Sequence, residues 1–269
     1  MRRIFVNGKA QATIDALDRG LQYGDGLFET IAVTAGRPRF LDWHLERLAD
    51  GAHRLGFPGL DLNGMRTEIR EAIEEPESVL KLILTRGTGP RGYRPPRDAK
   101  PTRIVAAFDW PAFPATAVTE GIRIDWCRTR LGRNAALAGL KHLNRLEQVL
   151  ARAEWEDAAM DEGLMQDDRG RVVAATQANL FVRMAGDWVT PVLDECGVAG
   201  VMRRAFRQWA AERGEAIAER PIAAAELESA KSLILTNSLI GAWPVRELAG
   251  RKLAVDPIAE EFNAWLARA

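Results

Sequence analysis

The sequence predicts an α/β protein of two domains: a smaller N-terminal α/β domain over residues 1–112 and a larger, strand-rich C-terminal domain over 122–269, with a linker at 113–121. Three observations carry that expectation. The chain has 269 residues, and domains run at about 150 residues each. Runs with the alternation of strands and runs with the three-to-four spacing of helices take turns along the chain, as they do when helices pack on a sheet. Finally, "PAFPATAVTEG" (111–121) holds two prolines and no apolar period, which is how a connecting segment reads.

The elements follow in order. "RRIFVNG" reads as a short strand entering a turn at Asn7-Gly8, and "LFETIAVTAGRPRFL" as a hairpin turning near Ala35-Gly36. Apolar residues at 41, 45, 48, 52 and 55 mark a helix that stops before Pro58 and Gly59. "LNGMRTEIREAI" is a second amphipathic helix. "VLKLILTRG" and "TRIVAAFDW" are strands flanking "GTGPRGYRPPRDAKP", too rich in Gly, Pro and Arg for a core and placed by composition at a mouth or partner surface. Beyond the linker come a strand ("IRIDWC") and a helix patterned at 143, 146, 149, 150 and 153. Two hairpin-like units then turn at Arg169-Gly170 and Gly186-Asp187. A helix opens after Gly200, "SLILTNS" is a buried strand, and a last helix covers about 256–268.

Composition narrows the function. Thirty-seven basic and 37 acidic residues cancel, so no net field steers the chain to nucleic acid or a membrane. No run approaches the ~20 apolar residues of a membrane span, and the N-terminus does not read as a signal peptide. Cys127 and Cys196 have no metal spacing, and His44, His53 and His142 are scattered, so neither a metal site nor a disulfide framework is expected. The expected compartment is the reducing cytoplasm.

The sequence has six lysines, and one has an unusual setting. Lys141 follows Ala135, Ala136, Leu137, Ala138, Gly139 and Leu140, small and apolar residues that would let a flat ligand approach. By residue type alone, the commoner explanation is a lysine snorkelling from a helix start or paired with Glu147. The alternative is an amine whose pKa burial lowers, leaving it able to attack a carbonyl. Two further features favour the alternative. Gly197 and Gly200 precede a helix whose first N–H groups could hold a phosphate. Thr236, Asn237 and Ser238 end a buried strand, another place for an anion cradle. A lysine with two such cradles points to a phosphorylated aldehyde, pyridoxal 5'-phosphate.

At these residues a family resemblance is visible. "RGLQYGDGLFET", "HLERL", "LTRGTGPRGY", "LGRNAALAGLKHLNRLEQVLARAE", "ANLFV", "GVAGVMR" and "LTNSLIGAWPV" resemble, in order and over nearly the whole chain, the fold-type IV pyridoxal-phosphate enzymes. That group includes the branched-chain and D-amino acid aminotransferases, and "GLKHLNRLEQVLARAE" is most similar to its 4-amino-4-deoxychorismate lyases. The resemblance implies a fold-type IV architecture, a pyridoxal 5'-phosphate cofactor, a small-molecule substrate and a homodimer. Trp43, Trp110 and Trp243, near loops or element ends, give the dimer mild support. It further implies that Lys141 is the Schiff-base lysine and the catalytic base, and that Arg47 binds the cofactor phosphate. Val201 and Met202 match the positions whose backbone N–H groups hold that phosphate, and Ser238 a hydroxyl contacting it. Asn179 belongs to the strand beside the pyridine ring. Tyr93, Arg91, Tyr23 and Phe28 fall where relatives shape the substrate pocket. The implied reaction is elimination of pyruvate from aminodeoxychorismate to give 4-aminobenzoate. Transamination of D- or branched-chain amino acids is the alternative.

One position departs from the pattern. The family usually places a glutamate, partner of the pyridine nitrogen, five residues before the asparagine of "NLF"; here that residue is Ala174. The expectation is therefore a lyase working with an unprotonated ring, a chain whose glutamate has been changed to impair it, or a pyridoxal-phosphate-binding protein with little turnover.

Overall fold

The computed structural model describes residues 3–156 and 160–268; Arg2, which opens the expected first strand, lies outside them. The chain forms two compact units. The first runs to Pro111 and takes in Leu140–Asn144; the second comprises Ala112–Gly139 and the chain from Arg145 onward. The sequence reading had placed the lysine segment beyond the linker with the C-terminal half, whereas these five residues pack with the first unit.

In the first unit, β1 (Ile4–Val6), β2 (Lys9–Ala10), β3 (Gly26–Thr34), β4 (Arg37–Pro38), β5 (Ser78–Thr85) and β6 (Thr102–Asp109) form one antiparallel sheet of six described strands, in the order β2-β1-β6-β5-β3-β4. The turns at Asn7-Gly8 and Ala35-Gly36 have positive φ at both residues, as tight hairpins require. Three helices accompany the sheet: α1 (Arg19–Tyr23), α2 (Leu41–Arg54) and α3 (Leu62–Ala72). The α2 helix buries Leu45, Leu48 and Ala52 on one face, each leucine contributing about 1.5–3 kcal/mol. Asp61 starts α3 by accepting the Gly64 N–H at 2.8 Å. The short α1 was not expected: five residues are too few to show a period, and its signal is the cap Asp18, which accepts the Gly20 N–H.

In the second unit, β7 (Ile122–Trp126), β8 (Glu162–Gln166), β9 (Val172–Ala175), β10 (Asn179–Arg183), β11 (Trp188–Pro191), β12 (Ile217–Arg220), β13 (Ser232–Asn237), β14 (Gly241–Leu248) and β15 (Arg251–Lys252) make a mixed sheet ordered β12-β11-β10-β13-β14-β7-β8-β9, with β15 on β14. Its helices are α4 (Leu146–Arg152), α5 (Val201–Glu212) and α6 (Ile258–Leu266). Leu164, Leu180, Val182, Leu233, Leu235 and Val245 centre its main core. Phe206 of α5 packs on Phe181 of β10 and on Phe262 of α6, with ring centroids 4.6 and 5.0 Å apart. The apolar face of α4 is not buried: Leu146 is 76 % exposed, and Val149 and Leu150 are also exposed. No helix among the described residues is long and apolar enough to cross a membrane.

Candidate active site

In the first unit, the lysine segment lies against β3 like an added strand. The Phe28 N–H donates to the Lys141 carbonyl and the Leu143 N–H to the Gly26 carbonyl, each at 2.9 Å, with a bridge between Leu27 and His142. Gly26 is needed here, since a Cβ would come within 2.7 Å of Leu143 and 2.5 Å of the Leu84 carbonyl. The Lys141 side chain is half-buried, and its Nζ stands 4.4 Å from the centroid of the Phe28 ring. A second ammonium, Lys81 of β5, lies 5.4 Å from the same ring, so two cations share one aromatic face or edge. Lys81 is half-buried. Of the apolar lead-in to Lys141, Ala138 and Leu140 are buried, while Ala135 and Ala136 are exposed. Glu147, the partner offered by the commoner explanation, accepts the Gly132 N–H at 2.8 Å.

Next to Phe28 on β3 is Glu29, and facing it from α2 are His44 and Arg47. Arg47 Nε donates to Glu29 Oε1 at 2.8 Å, Arg47 Nη2 donates to Oε2, and His44 Nδ1 meets Oε2 at 2.6 Å. Burial opposes the charge of Glu29, but the Arg47 charge and the His44 and Arg47 hydrogen bonds outweigh it and hold the carboxyl at about 2. Burial lowers the His44 pKa, the Glu29 contact opposes that, and the charges of Arg47 and Lys141 add to the lowering. His44 is therefore neutral and gives its Nδ1 proton to Glu29. Sequence reasoning set His44 aside as one of three scattered histidines. The missed signal was the three-residue spacing of His44 and Arg47, which puts both on one helix face.

Tyr23, Tyr93 and Arg91 gather elsewhere in this unit. Tyr23 and Tyr93 meet edge to face at 5.5 Å, and the Tyr23 hydroxyl accepts the Gly92 N–H at 3.2 Å. Buried Arg19 holds the loop: Nη1 donates to the Gly92 carbonyl at 2.8 Å, Nη2 to the Tyr93 carbonyl at 2.9 Å and Nε to Asp25 at 2.9 Å. Asp25 also accepts from Arg86 at 2.8 Å; burial opposes its charge, yet the two arginines keep its pKa below the usual range. Tyr93 is 85 % exposed, and Arg91 is exposed beside it.

In the second unit, Asn179 opens β10, and its Nδ2 donates to the Val198 carbonyl at 2.8 Å. That side chain lies so close to the start of α5 that a Cβ on Gly200 would fall 2.0 Å from Asn179 Oδ1. Gly200 begins the helix without a side-chain cap, leaving the first-turn N–H groups of Val201 and Met202 for another acceptor. Directly across the ladder from Asn179 is Thr236, fully buried, whose Oγ1 has no hydrogen-bond partner among the described residues. Ser238 follows in a half-buried turn that Asn237 closes by accepting the Leu239 and Ile240 N–H groups. An uncapped 12-residue helix, a glycine with no room for a side chain and an unpartnered buried hydroxyl on the facing strand suit a phosphoryl group. Ala174 of β9 lies in an apolar cluster with Met165, Val173, Leu131 and Ala151, with Leu193 and Cys196 against them. A buried acid on the neighbouring strand, Glu162 of β8, accepts from the Thr176 hydroxyl and the Gly163 N–H; burial pushes its pKa up.

The sequence profile of the family described as Amino-transferase class IV matches residues 26–248. The chain belongs to the class IV aminotransferase family. Among similar proteins, an aminodeoxychorismate lyase of Vibrio harveyi is 33 % identical over 94 % of this chain and 93 % of its own. A putative branched-chain-amino-acid aminotransferase of Methanocaldococcus jannaschii is 30 % identical over 96 % and 92 %. Among solved structures, the 4-amino-4-deoxychorismate lyase of Pseudomonas aeruginosa superposes with a TM-score of 0.94 and 46 % identity over 98 % of both chains. The fold expected from the resemblance is thus the fold observed. The chain's full-length relatives thus include proteins named as lyases and as aminotransferases.

Proposed function

We propose that this chain is a 4-amino-4-deoxychorismate lyase, releasing pyruvate from aminodeoxychorismate and leaving 4-aminobenzoate, the aromatic unit of folate. Its cofactor is pyridoxal 5'-phosphate. The observation that carries the reading is the full-length likeness to a lyase of solved structure at 46 % identity, well above the identity to the aminotransferase relative.

The residues present suit each task. The N–H groups of Val201 and Met202 and the Ser238 hydroxyl would hold the phosphate, with Asn179 keeping the helix start in place, and the Arg47 guanidinium would bind the same group. Bound, the cofactor supplies an electrophilic carbonyl carbon and a ring that accepts an electron pair. Lys141 Nζ takes the proton from the substrate carbon that bears nitrogen. Phe28 keeps that amine in a fixed, half-dry position. The C–O bond to the enolpyruvyl group breaks on the neighbouring carbon, the enol takes up a proton as pyruvate, and the substrate ring becomes aromatic. Aromatisation drives the reaction, so the protein needs to position groups and move protons, the latter worth about 10²–10⁴-fold. Ala174 sits in apolar surroundings, which supports a second reading in which turnover is low. The exposed leucines and valine of α4 support a homodimer, since such a face gains by meeting a second copy.

The test is direct. The purified protein should be yellow, borohydride should fix the cofactor to Lys141 as read by peptide mass, and a coupled assay should show pyruvate and 4-aminobenzoate in equal amounts. Conversion of the cofactor to pyridoxamine phosphate by branched-chain or D-amino acids, without pyruvate from aminodeoxychorismate, would replace the lyase reading by transamination. A fixed but inert cofactor would support the low-turnover reading.

A further inference from the structure

Glu29 is a buried charge to which the reading above gives no task. Its two oxygens receive three donors: Arg47 Nε at 2.8 Å, Arg47 Nη2, and His44 Nδ1 at 2.6 Å. Its side chain and that of His44 are each 1 % exposed, and that of Arg47 is 14 % exposed. Arginine's planar fork fits a carboxylate through two parallel bonds, and such a pair fixes the plane of the guanidinium as well as its place. Because Nε and Nη2 face Glu29, the fork directs Nη1 away from it. His44, neutral and one helical turn from Arg47, donates to Oε2, the same oxygen that accepts from Arg47 Nη2, and so adds a second hold on the carboxylate. A long, flexible cation is thus held in one orientation by a carboxylate that stays ionised down to strongly acidic pH.

We propose that Glu29 is a positioning residue acting through Arg47: it pre-orients the guanidinium that grips the phosphoryl group, and His44 secures Glu29 in turn. The inference rests on the function proposed above. Arg47 touches the ligand; Glu29 does not. Loss of Glu29 should therefore weaken recognition of the phosphoryl group while leaving recognition of the aldehyde and ring unchanged.

The experiment uses the full chain, stripped of cofactor, titrated separately with pyridoxal 5'-phosphate and with pyridoxal, which lacks the phosphoryl group. The ratio of the two affinities isolates phosphoryl recognition. Glu29→Gln should cut that ratio 10- to 100-fold. A control comes from the same unit: Glu68 of α3 is buried against Arg103 of β6, with Arg103 Nη2 2.5 Å from Glu68 Oε1. Glu68→Gln should lower thermal stability yet keep the ratio within about twofold. Arg47→Lys should also cut the ratio, and adding Glu29→Gln to it should cost less than a further threefold, because lysine has no fork to orient. Should Glu29→Gln fail to fold, Glu29→Asp, which keeps the charge but withdraws the carboxylate by one methylene, is expected to shift the ratio the same way. An unchanged ratio in the Glu29 variant, or full additivity with Arg47→Lys, overturns the inference. Failure of the unaltered protein to bind pyridoxal 5'-phosphate would instead remove the function proposed above.

Discussion

Replacing Gly200 by alanine tests the anion cradle at its tightest point. The backbone there has φ −66°, which alanine adopts freely, so no backbone strain enters. The cost is steric. The new Cβ would lie 2.0 Å from Asn179 Oδ1, where ordinary contact begins at 3.4 Å, so the amide must move by more than 1 Å. That displacement breaks the 2.8 Å bond to the Val198 carbonyl. A lost hydrogen bond costs about 0.5–1.5 kcal/mol, and a buried amide left unsatisfied raises the total to roughly 2–4 kcal/mol. Alanine is also a poorer helix start than glycine. At about 2–4 °C per kcal/mol for chains of this size, the cofactor-free protein should melt roughly 5–15 °C lower. Differential scanning calorimetry is the assay, with Gly186→Ala as reference, because a Cβ at Gly186 meets nothing within 4 Å. Melting within 1 °C of the reference would show that Asn179 is not locked against the helix start, and the cradle argument would fail with it.

Three further outcomes are expected. Ala174→Glu should lower the melting temperature of the cofactor-free protein, because a carboxylate enters an apolar cluster, and should widen the stabilisation conferred by pyridoxal 5'-phosphate while raising the lyase rate; an unchanged cofactor-induced shift would mean the new acid meets no cationic ring. Arg19→Ala removes two donors that hold the Gly92 and Tyr93 carbonyls, so trypsin should cut after Arg91 and Arg97 at least tenfold faster; cleavage at the original rate would show that the loop is held by other contacts. For Glu162, burial raises the folded pKa above the ordinary 4.5, so the folded state keeps a proton that the unfolded chain has released, and stability falls as pH rises through that window. Glu162→Gln keeps an acceptor for Thr176 and Gly163 without the charge. It should be at least as stable at neutral pH and lose that slope in urea titrations at pH 5 and 8; a steeper slope in the variant would contradict the burial argument.

What the sequence revealed follows the strength of each local signal. The helix α3 and the strands β3, β5 and β13 carry apolar periods and were placed within a residue or two, as were the starts of α2 and α5. The β14 strand was missed because Pro244 interrupts "GAWPVREL", and proline argues against a central strand. The sheet tolerates it there because the ladder to β7 begins at Val245 and shifts register before Glu247. The β12 strand was missed because "IAER", partly exposed, shows no buried face. In the candidate site, Lys141 stood out through its small neighbours, and Gly197 and Gly200 through their place before a helix. Thr236 was marked only as part of a polar strand end, not as a buried hydroxyl without a partner, and Glu29 was not marked at all. Their roles arise from partners far along the chain, or from the lack of one, and no local spacing encodes that.

The lysine segment has a consequence for biosynthesis. Its five residues complete the first unit, although they follow a stretch of the second in chain order. A ribosome translating at about 5–20 residues per second must therefore run on for seconds past Pro111 before β3 can receive its last neighbour. A nascent chain halted at Pro111 would carry an unfinished sheet edge, with Phe28 N–H unclaimed, and the moment at which Lys141 is synthesised is also the moment at which that edge can close.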